Sequence, residues 1–236
     1  MYSFFNSMIF FRSFLFYLLF YIGTICFFIF FSPVRLFSSK FVVSLSSFWT
    51  TCVIKLARFV LGIDYKITGI KNIPRKGVFL VASNHQSAWE TFFFVSLFPG
   101  SVFILKDELR KIPIFAQYFK KLGFIYIKRE KTFDSIKVIL KSIKKLMYKK
   151  KKVFIIFPEG TRLKPGSRSK LSSGVFAIHK FLGIPILPIK LNSGRFWLNK
   201  NFLNKSGLIN VKIFPIIKNE IDKNKLLKKL EDYYYN

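Results

Sequence analysis

The sequence predicts an α/β domain whose sheet is covered by helices, preceded by a membrane-associated N-terminal segment. Three observations predict it. Near the start, Ser13 to Phe31 is a run of 19 residues without a charge. From about Leu61 the pattern changes to short apolar runs alternating with amphipathic stretches, the signature of an α/β domain. The chain's 236 residues suffice for one sizeable domain and a short appendage. Its 51% hydrophobic and 19% aromatic content, with a mean hydropathy of +0.32, is too apolar for disorder and high for an ordinary soluble protein.

At 1.5 Å rise per residue the first run makes a helix of roughly 28 Å, enough to cross a hydrocarbon core of about 30 Å. Only Arg12 precedes it, and it ends in Phe30-Phe31-Ser32-Pro33 rather than a small-x-small cleavage site, so it is read as retained and not as a signal peptide. After the turn at Ser32-Pro33, Phe41 to Ile54 is uncharged but too short to span, and suits an interfacial or re-entrant helix. Arg35, Lys40, Lys55 and Arg58 flank this second stretch and place the rest of the chain on the cytoplasmic side. Residues 1–58 are read as membrane-associated helices and 59–236 as a catalytic domain. Strands are expected at Val78–Ala82, Val102–Leu105, Phe124–Ile127, Val153–Phe157, Ile186–Leu191 and Val211–Ile217, short and apolar as befits a covered sheet. Helices are expected over Phe133–Lys150, which has one apolar and one lysine face, over Leu171–Leu182, and over Ile221–Tyr235.

Lys and Arg total 40 against 11 Asp and Glu, a net charge of +29 that attracts nucleic acid, anionic headgroups or an anionic substrate. No base-reading module, aromatic RNA-binding strand pattern or zinc finger accompanies it, so a membrane-tethered nucleic-acid binder is the remote alternative. Cys26 and Cys52 stand alone, without the spacing of a disulfide framework or a metal site.

Two constellations carry chemistry. His85 follows the strand Val78–Ala82, and residues just past the carboxyl end of a strand point into the ligand crevice of an α/β sheet. Glu90 lies five positions on, about 140° away on a continuous helix, so a working pair needs His85 in the turn before a helix that carries Glu90. Asn84 and Ser87 make that turn plausible. The carboxylate then fixes one imidazole nitrogen and leaves the other free to take a proton from a hydroxyl. The competing reading is a capping box, Ser87-x-x-Glu90, in which the carboxylate only satisfies a backbone N–H. His179 has no acidic neighbour in sequence and reads as structural. The second constellation, Phe157-Pro158-Glu159-Gly160-Thr161-Arg162, looks like an anion cradle: glycine allows close approach, Thr161 offers a hydroxyl and Arg162 a planar fork. The competing reading is an ordinary turn with a surface charge. Lys106 and Arg129 leave two further strand ends as additional cations.

With Lys106-x-Glu108-Leu109-x-x-Ile112-Pro113-x-Phe115, Gly123-x-x-Tyr126-Ile127-x-Arg129 and Ile184-Pro185-Ile186-Leu187-Pro188, these segments resemble the four ordered motif blocks of the glycerolipid acyltransferases. The likeness runs from residue 78 to 193, and its order and spacing are far more specific than any one motif. Two positions depart from the family pattern. Glu90 stands where Asp is usual, moving the carboxylate by about 1.5 Å on an unchanged backbone, and Ala116 stands where Gly is common.

The resemblance implies a mixed, mostly parallel sheet flanked by helices and a two-helix N-terminal motif dipping into the cytosolic leaflet. It implies transfer of a fatty acyl group from a thioester, of coenzyme A or acyl carrier protein, to the sn-2 hydroxyl of lysophosphatidic acid. Glycerol 3-phosphate or a lyso-ornithine lipid are alternative acceptors. His85 and Glu90 would be catalytic; Lys106, Arg129, Glu159, Gly160, Thr161 and Arg162 would bind the acceptor; no metal or organic cofactor is implied.

Overall fold

The computed structural model describes residues 2–111, 113–127 and 132–236. Helix α1 runs over Tyr2–Phe30 and α2 over Ser39–Leu56, extended by a π-helical turn to Leu61. Both begin earlier than the uncharged runs. Arg12 does not end α1, because its guanidinium donates to the carbonyl of Val60 at 2.8 Å. Ser38 caps α2 by accepting from the Phe41 N–H at 3.2 Å. Ser7–Phe30 and Ser39–Leu61 are each long and apolar enough to cross a membrane by length and composition, so the second helix exceeds the short stretch that the sequence suggests. One side of the pair is packed and the other is open: Phe11, Ile25, Ile29 and Phe30 of α1 and Phe48 of α2 are exposed.

The remaining elements are β1 (Ile63–Thr68), β2 (Phe79–Ser83), α3 (Trp89–Leu97), β3 (Val102–Lys106), α4 (Pro113–Leu122), β4 (Ile125–Ile127), α5 (Thr132–Tyr148), β5 (Val153–Ile156), α6 (Gly174–Leu182), β6 (Ile186–Leu191), β7 (Gly207–Ile213) and α7 (Lys223–Tyr235). Among the described residues the seven strands form one sheet in the order β1-β7-β6-β2-β5-β3-β4. All neighbours pair in parallel except β6 and β7, so the sheet is mixed and mostly parallel, as expected. Sequence alone singles out neither β1 nor α4. It also sets the last strand too late: Pro215, which has no N–H to donate, ends the ladder, and Ile217 keeps only an isolated bridge to Ile186.

Side-chain alternation sorts the core into two faces. Val81, Ile155, Leu187, Ile189, Leu191, Ile209 and Val211 pack with Phe16 of α1, Val53 and Ile54 of α2 and Phe93 of α3. Leu80, Phe154, Ile156 and Ile186 pack on the other face with Ile143 of α5, Ile178 of α6 and Leu226 of α7. Each fully buried side chain of this size stabilises by about 1.5–3 kcal/mol. The five strands β6, β2, β5, β3 and β4 run the same way, so their carboxyl ends open on one edge.

Candidate active site

At that edge, β2 ends at Ser83 and the chain turns through Asn84–Ala88 before α3 begins. Asn84 fixes the turn to β6: its amide donates to the carbonyl of Leu191 and its carbonyl accepts from the N–H of the same residue, both at 2.9 Å. His85 is thereby in the turn and Glu90 in the first helical turn, the arrangement that the spacing demands. The His85 Nδ1 lies 2.9 Å from Glu90 Oε1, and the imidazole stacks on Phe157 with centroids 4.0 Å apart. As a donor to the carboxylate, Nδ1 carries the hydrogen, and Nε2 is left as an acceptor.

Glu90 is completely buried and well supplied with donors. Its Oε1 also accepts from the backbone N–H groups of Gln86 and Ser87, the latter at 2.7 Å. The hydroxyls of Ser87 and Ser193 reach Oε2 at 2.7 and 2.6 Å. Burial raises the pKa of such a group, but the hydrogen bond and charge of His85 and the bonds from Ser193 and Ser87 outweigh it and hold Glu90 below its ordinary value. The Ser87 N–H bond is one half of a capping box, so this carboxylate caps the helix and holds the histidine at once. The longer glutamate side chain is accommodated because the turn wraps both backbone donors around it.

The loop after β5 forms the other wall. Glu159 accepts from the His85 backbone N–H at 2.7 Å and from the Tyr235 hydroxyl at 2.9 Å. Burial, with the repulsion of Glu90 as a smaller contribution, pushes its pKa up to about 7 against the pull of those two bonds. Gly160 follows in the left-handed region at φ 71°. Leu163 N–H bonds back to the His85 carbonyl at 2.8 Å, so the two loops are stitched together on both sides of the histidine. Thr161 and Arg162 are exposed at the rim.

Arg162 borders a cleft of about 370 Å³ against α1, with Tyr17, Tyr21, Trp197 and Lys200. Of the three expected strand-end cations, Lys106 is exposed at the end of β3 and does not line this cleft, Arg129 lies outside the described residues, and Arg162 shares the cleft with Lys200. Ser193, Tyr235 and Lys200 escape a sequence reading. Ser193 and Tyr235 reach their carboxylates across 103 and 76 residues; only the position of Ser193 just past an apolar strand could have flagged it. His179 is structural, its Nδ1 on the Ile184 carbonyl at 2.8 Å and its Nε2 accepting from Glu220 N–H at 3.2 Å.

Comparison with known proteins bears on the family and the fold. The family model described as Acyltransferase matches residues 64–192. The 1-acyl-sn-glycerol-3-phosphate acyltransferase of Pseudomonas aeruginosa is 36% identical over 209 residues, covering 86% of this chain and 79% of that one. The enzyme of the same name from Borreliella burgdorferi is 30% identical over 167 residues, 70% of this chain and 66% of that one. The crystal structure of the 1-acyl-sn-glycerophosphate (LPA) acyltransferase PlsC from Thermotoga maritima superposes on all of this chain and 95% of that one, with a TM-score of 0.72 at 23% identity, and shares its fold.

Proposed function

The chain belongs to the acyltransferase family, and from that premise we propose that it transfers a fatty acyl group from a thioester to the sn-2 hydroxyl of lysophosphatidic acid, forming phosphatidic acid. The observation that carries the reading is the His85–Glu90 pair, with Nδ1 held at 2.9 Å and Nε2 left as an acceptor. An alcohol is a poor nucleophile at neutral pH. Nε2 takes its proton as the oxygen attacks the thioester carbonyl, and the imidazolium returns that proton to the leaving thiolate. Such assistance is worth about 10²–10⁴-fold. Glu90 keeps the tautomer and stabilises the imidazolium. The buried Ser87 and Ser193 hydroxyls at this edge donate to Glu90, whose lowered pKa makes it a poor base, so direct attack in a ternary complex is favoured over an acyl-enzyme.

Arg162 holds the acceptor phosphate in the cleft against α1, and Glu159, Gly160 and Thr161 shape the loop that presents it. Lys106 and Arg129 are assigned as supporting cations by motif position alone. The exposed apolar side of α1 and α2 rests in the bilayer, where acceptor and product keep their acyl chains, and the domain faces the cytoplasm. Protease added to the cytoplasmic side of sealed membranes should cleave it; protection reverses the topology.

Acyl transfer by the purified full chain, measured with lysophosphatidic acid, glycerol 3-phosphate and lyso-ornithine lipid, tests the acceptor. Lysophosphatidic acid should be preferred. Arg162→Ala should raise its KM about tenfold or more, the worth of a charge-assisted hydrogen bond, with Lys rescuing partly. Equal use of the phosphate-free acceptor refutes the phosphate role.

A further inference from the structure

His85 is held by ties of two kinds. The Glu90 carboxylate on Nδ1, the Phe157 ring under the imidazole and the Leu163 N–H on the backbone carbonyl keep their character across neutral pH. The remaining tie does not. The His85 backbone N–H rests on Glu159 Oε2 at 2.7 Å, and burial brings the titration of Glu159 to about 7. A proton that settles on Oε2 sets two donors head to head and loosens the turn, whereas a proton on Oε1 leaves the bond intact. Which oxygen takes the proton therefore decides whether the base stays in place.

The end of α7 makes that choice. The Tyr235 hydroxyl meets Glu159 Oε1 at 2.9 Å, the Ser169 carbonyl at 3.4 Å and the Ser169 N–H at 3.3 Å. A phenol has one hydrogen and two lone pairs, so it fits these partners in two ways. With Glu159 charged, it donates to Oε1 and accepts from the Ser169 N–H. With Glu159 neutral, it accepts from an Oε1 hydroxyl and from the Ser169 N–H, and turns its own hydrogen to the Ser169 carbonyl. Oε2 is left to the His85 N–H in both. The other titratable groups facing Glu159 offer no such exchange: Glu90 of α3 repels its charge, and the buried Tyr234 hydroxyl of α7 has no partner among the described residues. Burial first and Glu159 second raise both phenols, so each keeps its hydrogen. Arg162 and Arg168, on the loop of Glu159 itself, are exposed. We propose that Tyr235 is a positioning residue for acyl transfer: by taking up the Glu159 proton on the side away from His85, it holds the catalytic turn in one place in both charge states of that carboxyl. The inference rests on the acyl-transfer reading and adds a residue through which α7 acts on the base.

Tyr235→Phe keeps the ring and removes the exchange. The test is the ratio of variant to parent kcat as a function of pH, in full chains that denaturant unfolding shows to be folded at each pH; the ratio cancels the titration of the base, which both chains share. At high pH, with Glu159 charged in both, the ratio should approach one. As pH falls through the Glu159 titration it should drop about fivefold, the worth of one hydrogen bond, with the loss in kcat and not in KM for lysophosphatidic acid. A ratio that is level with pH, or that drops toward high pH, overturns the proposal, because a bond that only steadies α7 has no reason to matter more in acid. A second measurement needs no turnover. Amide hydrogen exchange of the segment holding His85, corrected for the intrinsic rate, should be equally slow at low and high pH in the parent, and faster in the variant at low pH alone. Equal protection in the two chains overturns the proposal as well. The expected exchange pattern in a chain that transfers acyl groups to none of the acceptors keeps the hold of Tyr235 on the turn and refutes the activity.

Discussion

The loops after β2 and β5 each bury one carboxylate against His85, yet the two carboxylates titrate in opposite directions. Glu90 receives donors on both oxygens from His85, Gln86, Ser87 and Ser193, and stays charged. Glu159 receives one backbone N–H and one phenol, and burial wins. The difference teaches that burial alone does not fix a carboxylate's charge: the converging donors and the sign of the neighbouring charge decide. A lasting anion next to the imidazole suits a proton-transfer pair, whereas a carboxyl near 7 behind the histidine backbone is a group that changes charge across the working pH range.

The largest effect should come from removing the permanent anion. Glu90→Gln leaves a neutral group among donors arranged for a charge, and turnover should drop by about 10² or more, close to that of His85→Ala. Steady-state kinetics at saturating substrates check this. A harmless Glu90→Gln would reduce Glu90 to a helix cap and dissolve the contrast.

The second prediction turns on pH. Unfolded, Glu159 loses its proton near 4.5; folded, it does so near 7. Between those values the folded chain holds a proton that the unfolded chain has released, so this group lowers stability as pH rises through the window and contributes no slope outside it. Glu90 works in reverse: its lowered folded pKa favours folding at higher pH, and that contribution is lost as pH falls through its folded value. Glu159→Gln should therefore flatten the fall in stability between about pH 4.5 and 7, as read from denaturant unfolding of the detergent-solubilised chain. An unchanged slope would assign that fall to another group.

The smallest effect belongs to Tyr235→Phe. It removes one of the two donors to Glu159 and keeps the ring. Stability should fall by about 1 kcal/mol, and the upper end of the pH window should move higher, sharpening the dependence on donor number. A midpoint that moves lower contradicts it.

How much of this was legible follows the same division between local and distant contacts. His85 and Glu90 are five residues apart, and strand, cap residues and helix signal between them were enough to place the pair in a turn. The Phe157–Arg162 loop was legible because it follows an apolar strand directly. Ser193 and Tyr235 were not, since which strand and which helix close over each carboxylate depends on sheet order. Strand β1 is not legible because Asp64, Lys66 and Thr68 break its apolar run: it is an edge strand with one buried residue in six.

Asn204 accounts for a last consequence. Its backbone N–H bonds to Ser13 and its side-chain amide to Tyr17, across 191 and 187 residues. At about 5–20 residues made per second, the first helix waits on the order of ten seconds or longer for these partners to be synthesised. The cleft beside Arg162 is therefore a late product of translation, absent from every shorter nascent chain. Until it closes, Phe16 of α1 lacks the Trp197 ring that it meets edge-on at 5.1 Å, an interval in which part of an apolar face is open to aggregation.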